Sequence, residues 1–125
     1  MPTTITNANL PTEVAIGNNG SVHQDGSQHV TNNVHDHFDF FGGPAIANIN
    51  APTEVAIGNN GSVSQDGSQH VINNVHDHYD FSGGPAIANI NAPTEVALFN
   101  NGPVSQDGSQ HVTNNVDYHD YPVLF

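Results

Sequence analysis

The strongest constraint on this chain is that it repeats itself. Pro11-Thr12-Glu13-Val14-Ala15 returns at Pro52 to Ala56 and again at Pro93 to Ala97. Gln24-Asp25-Gly26-Ser27-Gln28-His29-Val30 returns unchanged at Gln65 to Val71 and at Gln106 to Val112. Gly43 to Ala51 matches Gly84 to Ala92, and Thr3 to Leu10 is a weaker version of the same segment. The period is 41, the frames are 3–43, 44–84 and 85–125, and only Met1 and Pro2 are left over. Such an array presents one surface three times, as a solenoid or a stacking fibre requires, whereas a catalytic site needs unlike residues at unlike places.

Each unit reads as short strands between turn signals. Thr12 to Gly17 is followed by Asn18-Asn19-Gly20, and Ser21 to Gln24 by Asp25-Gly26. Asn-Gly and Asp-Gly accept positive φ and mark hairpins or arcs. Ser27 to Phe40 is the longest run. Val30, Val34, Phe38 and Phe40 share one parity, and His29, Thr31, Asn33, His35, His37 and Asp39 hold the other. That period of two predicts a strand with one apolar and one polar face. Gly42-Gly43-Pro44 breaks the chain before a further strand at Ala45 to Ala51. No segment reads as a helix. The expected fold is all-β, a repeat-built β-solenoid or cross-β stack of three 41-residue units.

Only 35% of the chain is hydrophobic, too lean for a unit to bury its own core. Stacking equivalent strands solves this by setting Val on Val and joining Asn and Gln into hydrogen-bonded ladders. A period of 41 suits two rungs of about 20 residues, each rising ~4.8 Å. The expected assembly residues are Val22, Gln24, Gln28, Val30, Asn32 and Val34 in the first unit. Their equivalents are Val63, Gln65, Gln69, Val71, Asn73 and Val75, then Val104, Gln106, Gln110, Val112, Asn114 and Val116. Neither end carries a long polar cap, so the expected partner is another copy, templated on an open edge.

Composition narrows the other partners. There is no Lys or Arg against 12 Asp and Glu, so nucleic acid and anionic membrane surfaces are poor partners. No run approaches the ~18 apolar residues of a membrane helix. Protonating all nine His takes the formal charge from −12 to −3, which would relax repulsion between copies. Met1 to Leu10 has no basic or apolar leader region, so no signal peptide is expected there.

Gly20-Ser21-Val22-His23-Gln24-Asp25-Gly26-Ser27-Gln28-His29-Val30 and its two copies resemble the repeats of curli-type functional amyloid subunits. The resemblance covers about half of each unit, the curlin repeat is shorter, and His35 to Asp39 has no counterpart in it. It implies an extracellular or cell-surface fibre, such as a biofilm matrix, built by strand stacking.

The remaining candidate chemistry is metal binding. His35-Asp36-His37-Phe38-Asp39 recurs as His76-Asp77-His78-Tyr79-Asp80. On a strand His35, His37 and Asp39 point the same way, as do His76, His78 and Asp80, with His119 extending the column of His37 and His78. Zn or Cu could cross-link such columns as a structural ion, although folding requires no cofactor. The solvated face of a strand is polar in any case, and His and Asp satisfy that without a metal. No Cys nucleophile, G-x-S-x-G elbow or phosphate loop is present, so no enzyme is expected. Two alternatives to the fibre stay open: a soluble His/Asp metal-binding solenoid, and a pilus-like subunit that donates Met1 to Leu10 as a strand.

Overall fold

In the computed structural model, residues 3–39, 42–80 and 84–119 are described, with the side chains of 37–39, 78–80 and 118–119 left outside that description. Each unit supplies four strands. The first gives β1 (Thr4–Asn9), β2 (Thr12–Ile16), β3 (Val22–Asp25) and β4 (Gln28–Asp39). The second gives β5 (Ala45–Asn50), β6 (Thr53–Ile57), β7 (Val63–Asp66) and β8 (Gln69–Asp80). The third gives β9 (Ala86–Asn91), β10 (Thr94–Leu98), β11 (Val104–Asp107) and β12 (Gln110–His119).

These strands form four parallel three-stranded sheets, β1-β5-β9, β2-β6-β10, β3-β7-β11 and β4-β8-β12. Thr4 pairs with Ala45, Val14 with Val55, Gln24 with Gln65 and Val34 with Val75, and the same offset of one repeat holds throughout. One unit is therefore one rung of a β-solenoid, not two. The turn signals make arcs within a rung and not hairpins. The reason lies in the sequence period: only a whole-repeat offset places like on like in every sheet.

Strict alternation orients the side chains. From Val22 to Asp36 the even-numbered residues point inward, and from Thr4 to Ile16 the odd-numbered ones do. The two runs face each other across a thin interior. Val34, Ile46 and Val75 form its apolar cluster, flanked by Ile5 and Ile87. Most of the rest is polar: Gln24, Asn32, Asn48, Asn50, Glu54, Gln65, Gln69 and Asn73 are all buried. The inward face of β4 is thus mixed and not apolar. Val30 and Val34 point inward with Gln28, Asn32 and Asp36, while His29, Thr31, Asn33 and His35 are exposed as expected. Phe38 and Phe40 lie outside the described side chains.

Glycine fits the arcs where no other residue does. A Cβ on Gly61 would collide with the carbonyl of Gly20 in the rung below, and one on Gly102 with the carbonyl of Gly61. Gly17 and Gly58 have φ of 67° and 66°. At the equivalent place in the third rung Phe99 adopts φ 55° with its side chain 86% exposed. The left-handed region costs an L-residue roughly 1–2 kcal/mol, and an exposed ring regains little of it. Phe99→Gly should raise stability by about 1 kcal/mol, once the extra chain entropy of glycine is allowed for. A higher urea midpoint with unchanged slope for the soluble chain is the expected result. An unchanged or lower midpoint would show that the turn is not strained.

Candidate self-assembly interface

All eighteen sequence-derived assembly residues sit on inward positions of β3, β4, β7, β8, β11 and β12. The amides among them bond column by column. Gln65 donates to Gln24 at 2.8 Å and Gln106 to Gln65 at 2.8 Å. Gln69 donates to Gln28 at 2.7 Å and Gln110 to Gln69 at 2.6 Å. Asn32 donates to Asn73 and Asn73 to Asn114, both at 2.8 Å. Ladders missed by the sequence reading of the interface run through Asn7, Asn48 and Asn89 and through Asn9, Asn50 and Asn91. Their signal was available, since Asn-x-Asn recurs in each unit. In the arcs, Asn18, Asn59 and Asn100 form another ladder.

Ladders of this kind leave their ends open. Within a column each amide donates to one neighbour and accepts from the other, so a terminal amide lacks one of the two. The two ends of the stack offer complementary halves of the same bond. The valine columns are open too. Val63 is 1% exposed in the middle rung, but its equivalent Val104 in the third is 45% exposed. Val112 and Val116 are likewise exposed where Val71 and Val75 are buried. The first rung is better covered on this side because β5 lies across from β4: Asn32 reaches Asn48 as well as Asn73. Among the described residues nothing lies across β12 in that way.

A carboxylate column shows the same unfinished series. Gly26 N–H donates to Glu54 Oε1 at 2.8 Å, and Gly67 N–H to Glu95 Oε1 at 3.2 Å. Gly26 and Gly67 have to be glycine, because a Cβ on either would press into Pro52 or Pro93. Gly108 is next in the series and has no Glu beyond it in the chain. Glu13 begins the carboxylate column at the other end, in register with Glu54. Glu54 is fully buried, and its Oε2 has no hydrogen-bond partner. Burial holds the carboxyls of Glu54 and Glu95 above the ordinary glutamate range, and like charge from Glu13, Glu95 and Asp66 adds to this for Glu54. The Asp-Gly arcs do the reverse. Ser27 donates its hydroxyl and then its N–H to Asp25, which lowers the Asp25 carboxyl. Asp107 is lowered first by the N–H of Ser109.

Histidines form columns on the outer face. The rings of His29 and His70 stack at 5.5 Å, and those of His70 and His111 at 5.3 Å. His35 and His76 approach at 5.0 Å, and His76 Nδ1 lies 3.2 Å from Asp117. Among the described residues no three His, Asp or Glu converge to hold a metal. The side chains of His37, Asp39, His78, Asp80 and His119 lie outside the described residues, although their backbones are in register along β4, β8 and β12. An open groove of about 500 Å³ runs along Asn33, His35, Asn74, His76 and Asp117. No helix among the described residues is long and apolar enough to cross a membrane.

No protein-family model, curated protein or solved structure matches the chain.

The raised carboxyl of Glu54 carries a pH prediction. A group raised on folding contributes most below its ordinary value, about 4.5, and that contribution is lost as pH rises through the folded value. The wild type should therefore melt higher as pH falls from about 7 to about 5. Glu54→Gln, which keeps the shape and removes the charge, should flatten that rise. Equal pH slopes for the two proteins would remove Glu54 as the cause.

Proposed function

We propose that the chain is a structural subunit that stacks end to end on copies of itself into an amyloid-like fibre, and that it is not an enzyme. One observation carries this: the third rung ends in open Val, Gln and Asn columns that match, residue for residue, the columns the first rung begins. A second copy set on β9 to β12 with its β1 to β4 continues every sheet in the register that already joins the three rungs. Its Asn7 would stand to Asn114 as Asn48 stands to Asn32, and its Glu13 to Gly108 as Glu54 stands to Gly26. The unpaired backbone edge of the last rung gains a full set of partners.

The resemblance to curli-type repeats extends the reading to an extracellular biofilm or cell-surface filament. Parallel, in-register stacking favours end-to-end growth over donor-strand exchange, because β1 is already used within its own chain, paired with β5. The metal-binding solenoid has narrower support, in the approach of His35 to His76 and of His76 to Asp117.

Val112 and Val116 test the joint because they carry the open end of the valine columns, next to Val71 and Val75. Both side chains are exposed in the single chain, so Val112→Asp with Val116→Asp should change monomer stability by no more than about 0.5 kcal/mol. At a joint, each would bury a carboxylate against the next copy. Electron microscopy should find long wild-type filaments, with a reflection near ~4.8 Å along the axis, and none from the double variant. Equally long filaments from the variant would sink the stacking joint.

A further inference from the structure

The two broad sides of the solenoid differ in chemistry. On the side built by β3, β4 and their equivalents, the outward positions carry Asp, His, Ser, Asn and Thr, with Ile72 the one aliphatic among the described side chains. On the side built by β1-β5-β9 and β2-β6-β10, alternation runs unbroken from Thr4 to Ile16 and from Ala45 to Ile57. Every outward residue there is Ala, Val, Ile, Leu or Thr, and the glutamates of these strands point inward. Val14, Ile16, Ile90 and Leu98 stand roughly half to two-thirds exposed. In a chain with 12 carboxylates and no Lys or Arg, this is a broad strand face without outward charge. A second copy can approach it without like-charge repulsion.

The face is also shaped to match itself. The outer part of one half, before Ile49 and Ile90, carries small residues and forms an open groove of about 280 Å³ along Thr4, Thr6, Ala45, Ala47, Ala86 and Ala88. The other half carries a ridge of larger ones, Val55 and Ile57 in the middle rung. Rotation by half a turn about the stacking axis reverses the strand direction and keeps the rungs level. Ala45 then meets Ile57 of the other copy, Ala47 meets Val55, and Ala51 lies on the axis. The outer rungs follow suit, with Thr6 against Val14 and Ala88 against Val96. Leu10 is the one bulky residue on that axis.

We infer that two stacks of the same polarity pair through this face, their facing strands antiparallel, across a dry twofold interface centred on Ala51 and Ala92. The inference rests on the stacking reading, and the area explains why. The thirteen residues from Ala45 to Ile57 span ~43 Å and three rungs rise ~14 Å, so one copy offers about 600 Å². A stable interface takes about 800 Å² from each partner. Single copies fall short, whereas two copies in a stack exceed it. Interdigitated small and large side chains between facing sheets are the arrangement that dries such a contact.

Mass per length by scanning transmission electron microscopy decides the matter. Wild-type filaments should carry two chains per three rungs of rise. Val55→Asp points outward on its own rung, so it should leave stacking intact and halve the mass per length. Ala47→Lys added to Val55→Asp should restore the pair, because the rotation sets position 47 against position 55. Wild-type filaments of single-stack mass would overturn the pairing, as would a Val55→Asp variant of unchanged mass. A double variant that stays single would overturn the twofold arrangement. Absence of any wild-type filament would instead overturn the stacking reading, and the pairing with it.

Discussion

The rest of the structure depends on the hydrogen bond between identical amides in adjacent rungs. A buried amide without a partner costs about 1–3 kcal/mol, more than an ordinary hydrogen bond returns. Gln65, Gln69, Asn48, Asn50 and Asn73 are all buried in the middle rung. Each finds its partner one repeat away, at the same position of the same unit. A slip of two residues, which keeps the inward parity, would put Val against Gln and orphan whole columns. The polar interior is thus what sets the register, and the modest apolar cluster of Val34, Ile46 and Val75 could not set it alone. It also explains why the units are alike: a ladder works only between like residues.

The carboxylates inside the solenoid oppose this order. Glu54 gains the Gly26 N–H and loses its water, and its neighbours in the column are also glutamates. The same site that fixes β6 against the β3–β4 arc therefore weakens the fold when it ionises.

Much of this was legible in the sequence because repetition needs no propensity argument. The strand runs, the absence of helix and the stacked columns of Gln24, Gln28 and Asn32 follow from the 41-residue period and from parity. Rung size was misjudged, since nothing in a period says how many times the chain goes round within it. The interior was misjudged too. Alternation by itself predicts an apolar side inward and a polar side outward, yet Gln28, Asn32 and Asp36 share the parity of Val30 and Val34. Ladders let amides take core positions that burial rules give to aliphatics. The aliphatic residues displaced from the core, such as Val14 and Ile16, appear on the outside. The histidine columns were readable as columns, and His76 does meet Asp117. A three-ligand site was not readable, because spacing along a strand gives direction and not convergence.

Where the units differ is as informative as where they agree. Among the described side chains the first unit departs from the second at Thr3, Thr4, Thr6, Ala8, Leu10, His23 and Thr31, all exposed, and retains the inward Ile5, Asn7 and Asn9. The third departs at Leu98, Phe99, Pro103, Thr113 and Asp117, on outer positions and arcs, and again over 120–125, outside the described residues, and retains Val104, Gln106, Gly108, Gln110, Val112, Asn114 and Val116. The remaining departure on β12 is Tyr118, whose backbone is in register with Asp77, so the sequence supplies no third carboxylate at the Asp36–Asp77 register position. From Val22 to Val34 and from Val104 to Val116 the first and third rungs keep the inward Val, Gln and Asn columns of the middle rung without change. The valines and amides of β11 and β12 remain costly to expose and ready to pair, which is the physical condition for adding another copy.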